Sequence, residues 1–167
     1  MTVLASRSAR ALTAAAVATG AVFVTAPSAS AVTKLTHSQA TSKFRTYGLT
    51  WSSSGGCSDR YTSTCTSFEQ INLATADGIV TFKRASGCAT NITGGTEVGH
   101  ASGTYSHWNG YKVDIGITTC NNSYITRNFA YAGVRGDGAT LYKSAAGNIY
   151  AKEGNHWDIT YYNCGGC

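Results

Sequence analysis

The chain has 167 residues, room for one domain, with 13 Lys+Arg against 8 Asp+Glu and a formal net charge of +5. That charge is too mild to argue for nucleic acid, and no basic cluster exceeds Lys83-Arg84, so no nucleic-acid partner is expected. One proline and 19 glycines point to a compact, turn-rich domain without a linker.

Arg7 and Arg10 precede an apolar run, Ala11 to Val24, which leads through Pro27 to the small-residue end Ala29-Ser30-Ala31. A charged start, a short apolar centre and an A-x-A end describe a secretory signal peptide over residues 1–31, cleaved after Ala31. The run is shorter than the ~20 residues a bilayer-spanning helix needs. The mature chain, residues 32–167, is therefore expected to be a secreted single domain that leaves the membrane once the signal is cut. Removing Arg7 and Arg10 leaves 11 Lys+Arg against 8 Asp+Glu, a net +3, which suits adsorption to an anionic cell wall.

All six cysteines lie in the mature part, and an even count in an exported domain reads as disulfides. Of the possible pairings the favoured set is Cys57–Cys65, closing the loop CSDRYTSTC, with Cys88–Cys120 and a Cys164–Cys167 ring. Zinc ligation by thiolates or a redox CxxC centre is disfavoured by export and by the lack of a second CxxC.

In chain order, LTHSQATSKFRTYG predicts a short helix, with a Thr36–Gln39 capping box and Gly48 past its end. Residues 48–66 read as a cysteine-clamped loop. Ser67 to Ser86 predicts a helix broken near Asp77-Gly78, with Lys83-Arg84 in its last turn and Gly87 as its stop. Cys88 to Thr93 reads as a strand, and 96–109 as loop. Tyr111 to Ile117 is the clearest strand: Tyr111, Val113, Ile115 and Ile117 face one way, Lys112, Asp114 and Gly116 the other. A short helix is expected over Ser123 to Tyr131. Three strands follow: Thr140 to Lys143, Ile149 to Lys152, and His156 to Tyr162, the last with His156 and Asp158 opposite Trp157 and Ile159. The order implies an α+β domain: a small, mostly antiparallel sheet flanked by N-terminal helices.

A hydrolytic zinc ion wants three nitrogen or oxygen ligands, an open position for water, and a carboxylate beside that water. The stretch SHWNGYKVD offers His107 and Asp114. Their separation of seven is an odd offset, but a turn through Trp108-Asn109-Gly110 returns His107 to Asp114. The later EGNH supplies His156 as third ligand and Glu153 as general base. One Zn2+ per chain is the cofactor this set implies. Taken singly, His107 reads as a loop histidine, Asp114 as a surface charge, Glu153 as a turn residue and His156 as a cross-strand partner.

Together, SHWNGYKVDI and EGNHWDI resemble the zinc peptidase superfamily of lysostaphin, D-Ala-D-Ala metallopeptidases and the hedgehog signalling domain, closest to the D-Ala-D-Ala carboxypeptidase branch. The likeness covers residues 88–162. It implies a small antiparallel sheet with flanking helices, His107, Asp114 and His156 as ligands, Glu153 as base, and bacterial peptidoglycan stem peptides as substrate. It also implies an arginine upstream of the histidine motif. The segment ITGGTEVGHASG has none, and Glu97 and His100 stand there instead.

His100, Glu97, Asp158 and Trp108 are candidates for supporting the ligands or touching substrate. Core packing is the default for Trp157. The leading expectation is a secreted, monomeric zinc metallopeptidase, carboxypeptidase or endopeptidase, acting on peptidoglycan. The alternative is a non-catalytic secreted wall-binding or inhibitor protein on the same fold.

Overall fold

A computed structural model describes residues 32–162. The expected signal peptide, residues 1–31, and the expected Cys164–Cys167 pairing lie outside the described residues.

Thr36 caps the first helix, α1 (His37–Thr46), as the capping box predicts: Thr36 Oγ1 accepts from the Gln39 N–H at 3.2 Å, and Gln39 Oε1 accepts from the Thr36 N–H at 2.9 Å. Before it, β1 (Lys34–Leu35) pairs antiparallel with a two-residue strand at Ile71–Asn72, here β3. Between them, the expected loop 48–66 contains β2 (Thr50–Trp51). The Cys57–Cys65 and Cys88–Cys120 disulfides are both formed.

The second helix differs from expectation. α2 (Leu73–Ser86) starts six residues later than Ser67, because Ile71 and Asn72 are drawn into pairing with β1. It runs through Asp77-Gly78 without a break. Glycine keeps its N–H, so the helical ladder continues, and its missing side chain makes room for the Tyr161 ring, which a Cβ at Gly78 would overlap. Gly87, at φ +67°, ends the helix as predicted.

The strand expected at Cys88–Thr93 is β4 (Asn91–Gly94), and the one at Tyr111–Ile117 is β5 (Lys112–Gly116). A capping box on Thr118 and Asn121 starts α3 (Thr119–Asn128) four residues ahead of the expected Ser123. The chain then turns into an unexpected strand, β6 (Ala130–Val134). Its residues are largely exposed, so no apolar row marks it in the sequence. β7 (Thr140–Lys143) has the expected bounds, β8 (Ile149–Glu153) runs one residue further, and β9 (His156–Thr160) ends two residues before the expected Tyr162.

The fold is α+β, but the sheet is larger than expected. Seven strands lie in the order β2-β4-β5-β9-β8-β7-β6, antiparallel except for β2 beside β4. On one face Val113, Ile115, Trp157 and Ile159 are fully buried in a core with Phe44 of α1 and Ile79 of α2. Each such side chain contributes about 1.5–3 kcal/mol by leaving water. The opposite face carries the polar row. In the central β5/β9 pair, Asp114 lies directly across from Asp158 and Gly116 across from His156. The two non-apolar faces read from each strand alone therefore coincide.

Candidate metal centre

The turn after His107 forms as the glycine predicts. The Gly110 N–H donates to the His107 carbonyl at 2.8 Å, and Gly110 has φ +79°, a left-handed conformation that other residues rarely take. The reversal lays His107 over β5. Its Nδ1 lies 2.6 Å from the Gly95 carbonyl oxygen, which can only accept, so Nδ1 carries a proton and Nε2 is the nitrogen turned inward. Nε2 lies 3.2 Å from Asp114 Oδ1 and 3.6 Å from Asp158 Oδ1. On the neighbouring strand, Gly94 leaves the space that the Asp114 carboxylate fills; a Cβ there would overlap it.

Two more imidazoles turn toward Asp114. His156 Nε2 lies 3.8 Å from Asp114 Oδ1 and 3.4 Å from Glu153 Oε2, with Nδ1 at 3.0 Å from Asn155 Oδ1. His100 Nδ1 lies 3.8 Å from Asp114 Oδ2, with Nε2 at 3.1 Å from Glu97 Oε1. The His100 and His107 rings stack, centroids 3.8 Å apart and 16° from parallel. Among the described residues, His100, His107 and Asp114 offer ligand atoms all within 4.8 Å of one another, a group able to hold a metal ion; His156, the third ligand expected from the sequence, is not in that group, and His100 stands in its place.

Asp114 Oδ1 and Asp158 Oδ1 are buried and accept no hydrogen bond from any described group. Two carboxylate oxygens around one buried nitrogen demand a positive occupant: a proton on the imidazole or a cation between them. Without a cation the proton wins. Burial pulls the His107 basicity down, and the flanking Asp114 and Asp158 more than reverse this, raising its pKa to about 10. Burial pushes Asp158 up, but His107 and Lys112 hold it well below the usual carboxylate range.

The centre opens into a cleft of about 460 Å³ whose wall includes Lys112, Arg135, Asp137 and Glu153. Lys112 Nζ reaches Asp158 Oδ2 at 2.6 Å, and Arg135 Nη1 reaches the same oxygen at 3.1 Å. The other end of the Arg135 guanidinium holds Asp137 and Glu153 Oε1. Four carboxylates (Asp114, Asp137, Glu153, Asp158) against two cations (Lys112, Arg135) leave the lining at −2 with neutral imidazoles, the charge that one divalent ion balances.

The residues singled out in the sequence thus divide. His107, Asp114, His156, Glu153, Asp158 and His100 all line the cleft. Trp108 and Glu97 line a neighbouring pocket of about 340 Å³ that shares Gly99, His100 and Ala101 with it. There Trp108 is covered by the Arg60 guanidinium, 3.7 Å from its ring centre. Trp157 is core. Arg135 and Lys112 escaped the reading as site residues. Strand alternation already put Lys112 on the face of Asp114, whereas nothing local signals Arg135, which the β6–β7 hairpin delivers. No protein-family model, curated protein or solved structure matches the chain.

Proposed function

We propose that the chain is an exported zinc-dependent peptidase that hydrolyses peptide bonds of peptidoglycan stem peptides. One observation carries the reading: the Nε2 atoms of His107 and His156 both face the same unpartnered oxygen of Asp114, with Glu153 beside His156. Nitrogen and oxygen donors of this kind fit zinc, and the buried oxygen and the −2 lining fit a divalent ion. The bound ion would lower the pKa of a water and polarise the scissile carbonyl.

The chain's own residues do the rest. Gly95 and Asn155 fix the tautomers of His107 and His156, so that their inner nitrogens are free to donate. Arg135 engages Glu153 Oε1, leaving Oε2, which faces His156, to take a proton from water and return it to the leaving amine. Arg135 stands in the cleft as the cation that the upstream segment lacks. Two disulfides, and the absence among the described residues of a helix long and apolar enough to cross a membrane, support an exported domain.

The second reading is a wall-binding protein that keeps the cation site without turnover. The Arg135–Glu153 ion pair favours it, because a carboxylate held by guanidinium is a poorer base. Incubation of zinc-loaded protein with purified peptidoglycan and with a peptide ending in D-Ala-D-Ala, followed by mass spectrometry, separates the two. The peptidase reading expects released fragments from wild type and none from Glu153→Gln, with zinc content unchanged. No release by wild type from either substrate leaves only the binding reading.

A further inference from the structure

Glu97 is 3% exposed and lies in a loop of small residues. Its carboxylate accepts the Ser67 N–H at 2.8 Å and the Gly95 N–H at 3.1 Å, and these bonds with His100 hold its pKa down against the upward push of burial. A buried charge so fully bonded to backbone is costly to place and needs a purpose. Among the described residues its one side-chain partner is His100 Nε2 at 3.1 Å.

That bond decides the tautomer of His100. Glu97 is a carboxylate and only accepts, so Nε2 carries a proton and Nδ1 is the nitrogen left to face the centre. Nδ1 faces Asp114 Oδ2 at 3.8 Å, and stacking on His107 holds the ring in place. A nitrogen directed at a carboxylate oxygen needs a positive occupant between them, a proton on Nδ1 in the metal-free protein or a metal ion in its place. Carboxylate, then imidazole, then metal is the arrangement that fixes ring orientation and strengthens the donor. His107 and His156 have the same arrangement, with the Gly95 carbonyl and the Asn155 side-chain oxygen as their outer acceptors.

We propose that His100 is a fourth protein donor of the centre, through Nδ1, and that Glu97 is its positioning residue. The donor set is then three imidazoles and Asp114, with a fifth position left for the hydrolytic water. The inference rests on the metal-centre reading above, and it adds a ligand to the three that the spacing of the sequence motifs supplied. His100 comes from the loop preceding His107, outside both motifs.

The test is an imidazole nitrogen–proton correlation spectrum of 15N-labelled wild type, metal-free and with one equivalent of Zn2+. The expected result is a metal-dependent shift of His100 Nδ1 together with His107 Nε2 and His156 Nε2, while His37, whose Nδ1 accepts from the Phe68 N–H at 3.1 Å, stays put. If His107 and His156 shift and His100 does not, the metal centre stands and this proposal is overturned. If none of the three shifts, the metal centre itself fails and the proposal with it. Chelator competition adds a second measure. Glu97→Gln should weaken Zn2+ binding by about 10–100-fold, the usual cost of losing an outer partner, and His100→Ala by at least as much. Wild-type affinity in both variants overturns the proposal.

Discussion

Asp114 and Asp158 are direct cross-strand partners, and both send a carboxylate oxygen toward His107 Nε2, at 3.2 and 3.6 Å. The two acids are not equivalent. Asp158 places its other oxygen on Lys112 and Arg135, whereas Asp114 Oδ2 faces His100 Nδ1 at 3.8 Å. Asp158 is thus neutralised by the chain, and Asp114 is left for an added cation. Asp114→Asn should weaken Zn2+ binding beyond the ~10–100-fold that an outer partner costs, and Asp158→Asn should stay within that range. Chelator-competition titration of the two variants checks the order; equal losses would remove the distinction.

Gly94 exists to admit the Asp114 carboxylate. Gly94→Ala should cost about 1–3 kcal/mol of stability, the usual penalty for overpacking, and should also depress Zn2+ affinity by displacing the ligand. Urea denaturation and metal titration on the same preparation read both effects. Destabilisation with unchanged affinity would mean that the carboxylate moves elsewhere without consequence for the centre.

Gly78 makes a prediction of opposite sign to helix propensity. In an exposed helix interior, Gly→Ala gains about 1 kcal/mol. Here the added methyl meets the Tyr161 ring, which is 1% exposed, so Gly78→Ala should destabilise by about 1–3 kcal/mol. A raised denaturation midpoint would show that the ring has room to shift.

The metal-free protein should lose stability in alkali through His107. Its folded pKa, about 10, lies above the ordinary value of 6.5. Between those values the folded state holds a proton that the unfolded state has released, so stability falls as pH rises. The contribution is complete below about pH 6.5 and gone above about pH 10. Denaturation curves for metal-free wild type and His107→Gln, compared from pH 6 to 10, should converge as pH rises. Saturation with Zn2+ should abolish this slope, since the ion displaces the proton, and proton release should accompany binding near neutral pH. Parallel curves would mean that Nε2 is not protonated between its two carboxylates.

Much of the fold was legible because it is encoded over short distances. The Thr36–Gln39 capping box, the Gly87 stop and the alternation on β5 and β9 each involve residues within one or two turns or one strand. The misreadings came where distant pairing overrode local pattern. Ile71 and Asn72 look helical until Leu35 and Lys34 pair with them, and Ala130–Val134 shows no apolar row because its residues are largely exposed at the edge of the sheet.

The same division runs through the site. The sequence by itself determined that Asp114 and His156 lie opposite the apolar row of their strands, and that Gly110 turns His107 back, because side-chain alternation and left-handed φ are local steric facts. Only the tertiary structure decided that Asp158 meets Asp114, that Arg135 swings in from a hairpin, and that Glu97 aims His100 at the centre. Those placements depend on strand register and on where each loop lies, which are set by burying Val113, Ile115, Trp157 and Ile159 in one shared core rather than by any neighbouring residue.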